Sequence, residues 1–285
     1  MDDSKIFIVG ANGQLGLALR EKYPQARYAD VDELDITNSD SVANFEWSST
    51  SYILNAAAFT NVDGAETESG RRAAWAVNAN AVAYLSEAAN KNGATLVHIS
   101  SDYVFDGTQK EHTENEPFSP LSVYGASKAA GDIVASLAQK HYIIRTSWVI
   151  GDGNNFVKTM LGLAAKDVSP DVVSDQIGRL TFTSELVRSI DHLLTTKSPY
   201  GTYNVSNSGD AVSWADITRE TFKLAKKDHL TVTDVSTEEY YKGKIGIAPR
   251  PLQSSLDLTK IQASGFTSHE WIEELQRYIE KEVRA

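Results

Sequence analysis

The sequence predicts an α/β fold, in which a doubly wound parallel sheet is followed by a smaller C-terminal lobe. Two observations lead to this prediction. Short strands rich in Val, Ile and Leu alternate with helical patterns through residues 1–150, whereas residues 151–285 show a looser pattern punctuated by Gly and Pro. The expected domain boundary is therefore near residue 150, with some later segments returning to the first domain. A chain of 285 residues is long enough to bury the core of such a fold.

Five strands are predicted in the first domain, each a short apolar run. They span residues 5–9, 26–30, 52–55, 95–100 and 142–145, and the helices between them span residues 14–22, 39–45, 69–92 and 124–139. Helical connections make successive strands parallel and cover both faces of the sheet. Ligands of such sheets bind at the carboxyl ends of the strands, so the residues directly after each strand are the expected site residues.

The second part of the chain is predicted to be mainly helical. Its helices are expected at residues 156–165, 184–194, 213–225 and 268–283, with short strands near residues 172–173 and 203–205. We expect this smaller lobe to complete a cleft at the edge of the sheet. Because the sequence shows no long linker or low-complexity tract between the two parts, they are expected to form one compact body.

Composition excludes several functional classes. The chain has 27 Lys and Arg against 38 Asp and Glu, and its net charge of −11 argues against binding to nucleic acid or to an anionic membrane surface. Without Cys there is no disulfide, thiolate zinc site or cysteine nucleophile. The six His show no metal-ligand spacing, so no metal is predicted. The sequence shows no signal pattern and no membrane-spanning run, and a cytoplasmic protein is expected.

Three glycines spaced three apart form the most informative motif. Gly10, Gly13 and Gly16 follow the strand at residues 5–9 and open the helix at residues 14–22. This order is typical of a Rossmann dinucleotide site, where the glycines permit a tight turn, a close approach of the pyrophosphate and close packing of helix on strand. Plain strand–helix corners contain similar turns. The residues predicted to bind the cofactor are Gly10, Asn12, Gly13, Gln14, Leu15, Gly16, Asp30, Asp35, Ile36, Ala56, Ala57 and Ala58.

Tyr124 and Lys128 lie four residues apart at the start of a predicted helix, which places both side chains on one face. A nearby ammonium is expected to lower the pKa of Tyr124, and a hydroxyl from Ser101 would hold a substrate oxygen beside the phenol. Such a phenol can protonate an alkoxide as a hydride reaches the neighbouring carbon. The spacing also arises by chance, because Tyr240 and Lys244 share it, and we assign that second pair no function.

Together these residues resemble an extended short-chain dehydrogenase/reductase, and further segments narrow the resemblance to the dTDP-4-dehydrorhamnose reductases. The segments that carry it are residues 55–66, 100–107 (SSDYVFDG), 145–149 (RTSWV), 154–160 (NNFVKTM), 175–178 (DQIG) and 250–251 (RP). They run in order along essentially the whole chain. Ser101 stands where the family usually has Thr, and since both residues supply a hydroxyl the role is retained.

The resemblance implies reduction of the C4 keto group of dTDP-4-dehydro-L-rhamnose to dTDP-L-rhamnose, a nucleotide sugar for cell-surface polysaccharide, with NADPH or NADH. Tyr124 would be the proton donor and Lys128 would bind the nicotinamide ribose, so both also count as cofactor-binding residues. Ser101 would be the third catalytic residue. The C-terminal lobe would bind substrate. The expected substrate-binding residues are Thr60, Val62, Tyr103, Val104, Phe105, Trp148, Asn155 and Arg250.

Alternatives stay open at this stage. Asp30 favours NADH because an acid there can accept from the ribose 2′-hydroxyl, although the family commonly uses NADPH or both.

Competing functions and the oligomeric state also stay open. A nucleotide-sugar epimerase or dehydratase shares the Tyr–Lys pair, and a related fold serves as a non-catalytic regulatory subunit. Some family members form a dimer bridged by magnesium through a first-helix Glu, where this chain has Ala18. A monomer or a homodimer is expected, and association with the upstream epimerase stays open.

Three further residues have competing interpretations. Asn155 is a substrate candidate but could instead cap the helix that follows it. Arg250 is expected to meet the substrate diphosphate, because a planar fork suits paired phosphate oxygens. Arg145 is as consistent with a structural role as with a functional one, and Asp63 and Glu66 are interpreted as a charge pair at a helix start rather than an acid/base dyad.

Overall fold

The computed structural model describes residues 1–284. Its strands are β1 (Ile6–Val9), β2 (Arg27–Ala29), β3 (Tyr52–Asn55), β4 (Thr95–Ser101), β5 (His141–Thr146), β6 (Val149–Ile150), β7 (Asp171–Val173), β8 (Ile177–Gly178), β9 (Thr181–Phe182), β10 (Gly201–Asn204), β11 (Val212–Ser213) and β12 (Thr233–Val235). Its α-helices are α1 (Gln14–Lys22), α2 (Ser39–Asn44), α3 (Glu68–Trp75), α4 (Ala81–Asn92), α5 (Val123–Ala135), α6 (Phe156–Ala165), α7 (Thr183–Thr196), α8 (Trp214–Leu224), α9 (Thr237–Tyr241), α10 (Thr259–Ala263) and α11 (Trp271–Arg284).

Six parallel strands form the central sheet, in the order β10-β5-β4-β3-β1-β2. From β1 the chain moves to one edge through β2, and from β3 it moves to the opposite edge. The direction of winding therefore reverses between β1 and β3, which is where open α/β sheets bind ligands. Val9 is in register with both Ala29 and Asn55, so the carboxyl ends of these three strands lie side by side.

Alternate side chains of β1 pack on opposite faces of the sheet. Ile6 and Ile8 belong to an apolar cluster that includes residues of α1 and α7, whereas Phe7 and Val9 belong to a cluster that includes residues of α2, α4 and α5. All four side chains are buried. This is the arrangement that a parallel sheet covered by helices on both faces requires, and it confirms the predicted doubly wound fold.

Residues beyond 150 contribute to two regions. Strand β10 pairs in parallel with β5, and α7 packs against α1 in one of the two sheet clusters. Helices α6, α8 and α11 build separate apolar clusters together with β6, β7 and β9. The second region is the smaller C-terminal part of the molecule. The domain boundary at residue 150 stays a prediction.

Some elements differ in detail from the sequence expectations. The helix expected at residues 69–92 contains a π-helical segment, Ala76–Asn80, which apolar periodicity does not reveal. The helix expected to reach residue 139 ends at Ala135. The pairs β6–β9 and β8–β11 were not predicted, because two residues per strand carry no readable alternation.

The described residues contain neither a membrane-spanning helix nor a cluster of metal-ligating side chains. Across residues 1–284, every helix is too short or too polar to cross a bilayer. Within the same range, no three His, Asp or Glu side chains are grouped so that they could hold a metal ion. The expectation of a protein without a metal stays a prediction.

Candidate active site

A cleft of about 780 Å³ opens at the carboxyl ends of the central strands, a size typical of small-molecule sites. The predicted site residues that line it are Gly10, Gly13, Gln14, Leu15, Asp30, Asp35, Ile36, Ala56, Ala57, Ala58, Thr60, Val62, Ser101, Tyr103, Tyr124, Lys128 and Trp148. The predicted site residues that do not line it are Asn12, Gly16, Val104, Phe105, Asn155 and Arg250. The structure thus brings together most of the residues that the sequence singled out.

The three glycines of the turn have different structural requirements. Gly10 has a φ of +74°, and a Cβ there would lie 2.5 Å from the backbone nitrogen of Ala57. A Cβ on Gly16 would collide with the carbonyl oxygen of Gly10. Gly13 has a φ of −74°, and a Cβ there would meet its nearest neighbour at 3.5 Å, an ordinary contact. The protein's own packing therefore demands glycine at positions 10 and 16 but not at position 13.

The N-terminus of α1 is suited to bind an anion. Gly13 is the N-cap residue, and it makes no side-chain capping hydrogen bond. The N–H groups of the first turn are therefore not satisfied by a cap, and the adjoining Gln14 and Leu15 line the cleft. Because such groups and the helix dipole favour negative charge, this end of α1 fits the pyrophosphate of a dinucleotide.

Asp30 links the end of β2 to the glycine turn. One carboxylate oxygen accepts a hydrogen bond from the N–H of Asn12 at 2.9 Å, and the other accepts from the N–H of Val31 at 2.9 Å. The side-chain oxygen of Asn12 accepts from Arg20 at 3.2 Å. Asn12 therefore helps to fix the shape of the turn, and Asp30 is the one of the two that lines the cleft.

Tyr124 and Lys128 lie one turn apart at the start of α5, as their spacing predicted. Both are buried and both line the cleft, as does Ser101 at the end of β4. The carboxylate of Glu66 accepts a hydrogen bond from the N–H of Val123 at 2.9 Å, which fixes the first turn of α5. The expected catalytic side chains are thereby held on two rigid elements of the central fold.

Burial raises the pKa of Tyr124 to about 12, and a hydrogen bond with Ser101 only partly opposes this effect. The expectation that Lys128 lowers the pKa of Tyr124 is therefore not met in this structure. Instead, the ammonium of Lys128 donates to the carbonyl oxygen of Ile99 at 2.5 Å. A phenol with so high a pKa is protonated at neutral pH, so Tyr124 can act as an acid.

Burial also lowers the pKa of Lys128 to about 8, against the effect of Asp132 one turn further along α5. Asp132 pairs with Arg145, whose Nε lies 2.8 Å from a carboxylate oxygen, and both side chains are almost completely buried. Arg145 is therefore a structural residue of the core. Through Asp132 it supports the helix face that carries Lys128, and removing one partner of such a buried pair is strongly destabilising.

Asp102 is a cleft residue that belongs to the strand-end residues expected at the site but was assigned no role. Its Oδ1 accepts a hydrogen bond from the hydroxyl of Ser101 at 3.0 Å. Burial raises its pKa to about 6, although hydrogen bonds with Ser254 and Ser101 oppose this effect. Its position beside Ser101, at the carboxyl end of a predicted strand, was the available signal. Thr146 and Ser147, which directly follow the strand predicted at residues 142–145, also line the cleft without an assigned role. Leu186 is a cleft residue that was not predicted.

Val104 and Phe105 are core residues, which corrects the expectation that they bind substrate. Neither side chain is exposed at all. The ring of Phe105 stacks on His112, with ring centres 4.6 Å apart and an angle of 2° between the planes. Both residues pack in a cluster with Ala129 and Leu256. They anchor the segment that carries Ser101 and Tyr103 instead of contacting a ligand directly.

Asn155 caps α6, the alternative that the sequence left open. Its Oδ1 accepts from the N–H of Lys158 at 2.9 Å. Its Nδ2 donates to the carbonyl oxygen of Gly151 and to the hydroxyl of Tyr278, each at 2.8 Å. Because both ends of the amide are engaged within the protein and the residue does not line the cleft, its role here is structural.

Trp148 lines the cleft from a left-handed backbone conformation, with a φ of +47°. Its ring stacks on that of Trp214, with centres 3.7 Å apart. Gly178 makes room for the ring, since a Cβ there would lie 2.9 Å from it. Non-glycine residues held in this region of φ cost energy and are concentrated at functional sites. The structure therefore supports a role for Trp148 in shaping the cleft.

Arg250 is paired with Asp63 and does not line the cleft. The distance from its Nη2 to a carboxylate oxygen is 2.8 Å. Asp63 and Glu66 do lie at the start of a short 3-10 helix, Gly64–Glu66, as expected. Each carboxylate, however, is bonded to a distant segment. Sequence gave no signal for the pair of Asp63 with Arg250.

Known proteins share both the sequence and the fold of this chain. Residues 4–284 match the family model described as the RmlD substrate binding domain. A dTDP-4-dehydrorhamnose reductase of Aggregatibacter actinomycetemcomitans is 38% identical, with 94% of this chain and 96% of that protein aligned. The chain belongs to the dTDP-4-dehydrorhamnose reductase family. The family resemblance inferred from the motifs is thereby confirmed.

Two solved structures of dTDP-4-dehydrorhamnose reductases share the fold over almost the whole chain. The structure from Clostridium acetobutylicum has a TM-score of 0.89 at 37% identity and covers 96% of this chain and 98% of that chain. The structure from Bacillus anthracis, a complex with NADP, has a TM-score of 0.87 at 37% identity and covers 97% of this chain and 98% of that chain. The smaller C-terminal region is therefore shared with this family as well as the sheet.

Proposed function

We propose that this protein reduces the C4 keto group of dTDP-4-dehydro-L-rhamnose to give dTDP-L-rhamnose, with NADPH or NADH as reductant. The observation that carries the proposal is the placement of Tyr124, Lys128 and Ser101 in one cleft with the glycine turn. The relatives that bear the name of this reductase support the choice of substrate.

The reaction needs a proton for the keto oxygen as that oxygen becomes an alkoxide. Tyr124 is a buried acid in the cleft, and its pKa of about 12 keeps it protonated at neutral pH. An alkoxide is a stronger base than a phenolate, so the proton moves from the hydroxyl of Tyr124 to the substrate oxygen. When bound, the reduced nicotinamide supplies the hydride. In this structure the hydroxyl of Ser101 donates to Asp102. When substrate binds, this hydroxyl would turn to donate to the keto oxygen instead and so stabilise the developing charge.

Lys128 contributes a positive charge on the same helix face. After proton transfer, its ammonium stabilises the phenolate that Tyr124 has become. An ammonium has three N–H donors, and one of them is used by the carbonyl oxygen of Ile99. The other two are available to the ribose hydroxyls of the cofactor. This division of donors supports the proposal that Lys128 both binds the cofactor and assists the acid.

The choice between the two cofactors depends on Asp30. Its carboxylate can accept from a ribose 2′-hydroxyl and repels a 2′-phosphate. Arg20 brings a positive charge to the same turn, since it donates to Asn12 and lies 4.0 Å from the ring centre of Tyr28. We therefore propose that both NADH and NADPH are used. The NADP complex of the Bacillus anthracis relative supports the use of NADPH.

A turnover assay tests the proposal. The purified chain is mixed with NADH or NADPH and with the keto sugar made in situ by the upstream enzymes, and the nicotinamide absorbance is followed. Oxidation is expected only when the complete keto sugar is present. Tyr124→Phe is the matched variant, because it keeps the ring that packs 5.4 Å from the ring of Tyr103. It is expected to bind cofactor normally and to lose about 10²–10⁴-fold in rate.

Two outcomes would contradict the proposal. If neither cofactor is oxidised although cofactor binding is demonstrated, the result would favour a nucleotide-sugar epimerase or a regulatory subunit of the same fold. A near-normal rate for Tyr124→Phe would remove this residue from the mechanism. We further propose that the enzyme works in the cytoplasm as a monomer or a homodimer, and light scattering with and without the upstream epimerase measures its assembly.

A further inference from the structure

Asp63 joins two segments that flank the cleft. It follows Thr60 and Val62, which line the cleft wall. One oxygen of its carboxylate accepts a hydrogen bond from the N–H of Ala248 at 3.0 Å, and the other accepts from Nη2 of Arg250 at 2.8 Å. The two donors are 185 and 187 residues away in sequence. The carboxylate thus fixes the position of the Arg250 segment relative to the cleft wall.

The guanidinium of Arg250 is held at several points. Nη1 donates to the carbonyl oxygen of Ala248 at 2.8 Å, and the central carbon of the group lies 4.9 Å from the ring centre of Tyr241. The side chain is only 15% exposed. The guanidinium has five N–H donors, of which one is used by Ala248 and one by Asp63. The other three remain in a rigid, planar arrangement.

Arg250 is a fixed cation whose charge acts on Tyr103, and Tyr103 lines the cleft. Burial raises the pKa of Tyr103, a cleft residue, while the nearby charge of Arg250 opposes this effect. Burial raises the pKa of Asp63, but hydrogen bonds from Arg250 and Ala248 lower it more, so the carboxylate stays ionised. A guanidinium held in this way has free donors that match paired phosphate oxygens.

We propose that Asp63 is a positioning residue, which orients Arg250 so that its free donors bind the diphosphate of a nucleoside diphosphate that reaches from the cleft towards this segment. The identity of the substrate in this inference rests on the proposed function. Asp63 acts through Arg250 and touches no reacting atom. Without the carboxylate, Arg250 keeps a single hydrogen-bonded anchor, and the ligand must then order the side chain at a cost in affinity.

A double-mutant cycle on nucleotide binding tests this proposal. The full chain, saturated with NADPH, is titrated calorimetrically with dTDP and with dTMP. Arg250→Ala is expected to weaken dTDP binding about 10- to 100-fold. Asp63→Ala is expected to weaken it about 3- to 10-fold, and the double variant no more than Arg250→Ala alone. Binding of dTMP, which lacks the second phosphate, is expected to change less in all three variants.

Glu68→Ala is the matched control, because it removes one carboxylate from the same part of the chain. The ion pair of Glu68 with Arg72 is exposed, so dTDP binding is expected to stay unchanged. If Asp63→Ala fails to fold, Asp63→Asn replaces it in the cycle, since the amide retains one acceptor oxygen. Its smaller loss of dTDP affinity is again expected to vanish when Arg250 is Ala.

Additive losses in the double variant, or equal losses for dTDP and dTMP, would overturn the proposal. Unchanged dTDP binding in Arg250→Ala would do the same. Because nucleotide binding needs no turnover, the two proposals can fail separately. A chain that shows the coupling without reducing the keto sugar contradicts the proposed function alone, whereas turnover without the coupling contradicts only the role of Asp63.

Discussion

The buried carboxylate of Asp102 is expected to reduce the stability of the folded protein at neutral pH. Its pKa is about 6 in the fold against an ordinary 3.8, chiefly because burial disfavours the ionised form. This difference corresponds to about 3 kcal/mol. Between about pH 4 and pH 6 the folded state binds more protons than the unfolded state, so stability falls as pH rises through this window and stays lower above it.

Asp102→Asn removes this penalty and keeps an oxygen that can accept from Ser101. The variant is expected to exceed the parent in free energy of unfolding by up to about 3 kcal/mol above pH 7, and to match it below about pH 4. Urea denaturation at several pH values measures the difference. Asp106→Asn is a control in which the expected change in stability has the opposite sign. A hydrogen bond from Thr108 lowers the pKa of Asp106, so this variant is expected to be less stable than the parent at neutral pH only.

A stability difference for Asp102→Asn that is the same at both ends of the pH range would refute the argument. It would mean that ionisation of Asp102 does not limit stability and that changed packing causes the effect. If the expected pH dependence is found, the protein retains beside Ser101 a charged group that costs it stability. Retention of such a group is typical of a site under functional constraint.

Three further predictions concern the cofactor. Gly16→Ala is expected to destabilise the fold by about 1–3 kcal/mol through the clash with Gly10. Gly13→Ala is expected to change stability by under about 1 kcal/mol but to raise the KM for the cofactor. Thermal melts measure the first effect and steady-state kinetics the second, and equal effects of the two variants would contradict their assigned roles. Asp30→Ala should improve the NADPH/NADH ratio of kcat/KM at least about fivefold, and an unchanged ratio would show that Asp30 does not face the ribose. Since the pKa of Lys128 is about 8, its charge is lost above that pH, and kcat/KM should fall there in a pH profile; a flat profile would contradict the need for this charge.

The parts of the fold and site that the sequence predicted are those specified by local patterns. Residues 6–9 form a buried apolar run, and the turn that follows contains glycines that the backbone requires at Gly10 and Gly16. Tyr124 and Lys128 share a face because of helical geometry alone. Residues directly after a parallel strand reach the same edge of the sheet, which is why Ser101 was correctly expected in the cleft.

The parts that the sequence did not predict depend on partners far apart in the chain. Phe105 stands in a motif with cleft residues on both sides, yet the stacking of His112 on its ring places it in the core. Arg250 and Asp63 are separated by 187 residues, and no periodicity relates them. In both cases the residue type was noticed correctly, but its neighbours, which decide its role, become known only from the fold.

The pKa of Tyr124 shows most directly why a pairwise argument from sequence was insufficient. The spacing to Lys128 was correct, but the argument considered only the attraction between an ammonium and a phenolate. Folding also removes both groups from water, and burial disfavours the charged form of each, raising the pKa of Tyr124 while lowering that of Lys128. For a reductase this outcome is favourable, because a protonated phenol is the form that donates. In the proposed mechanism the buried position of Tyr124 keeps the acid protonated, and the charge of Lys128 assists it once the proton has left.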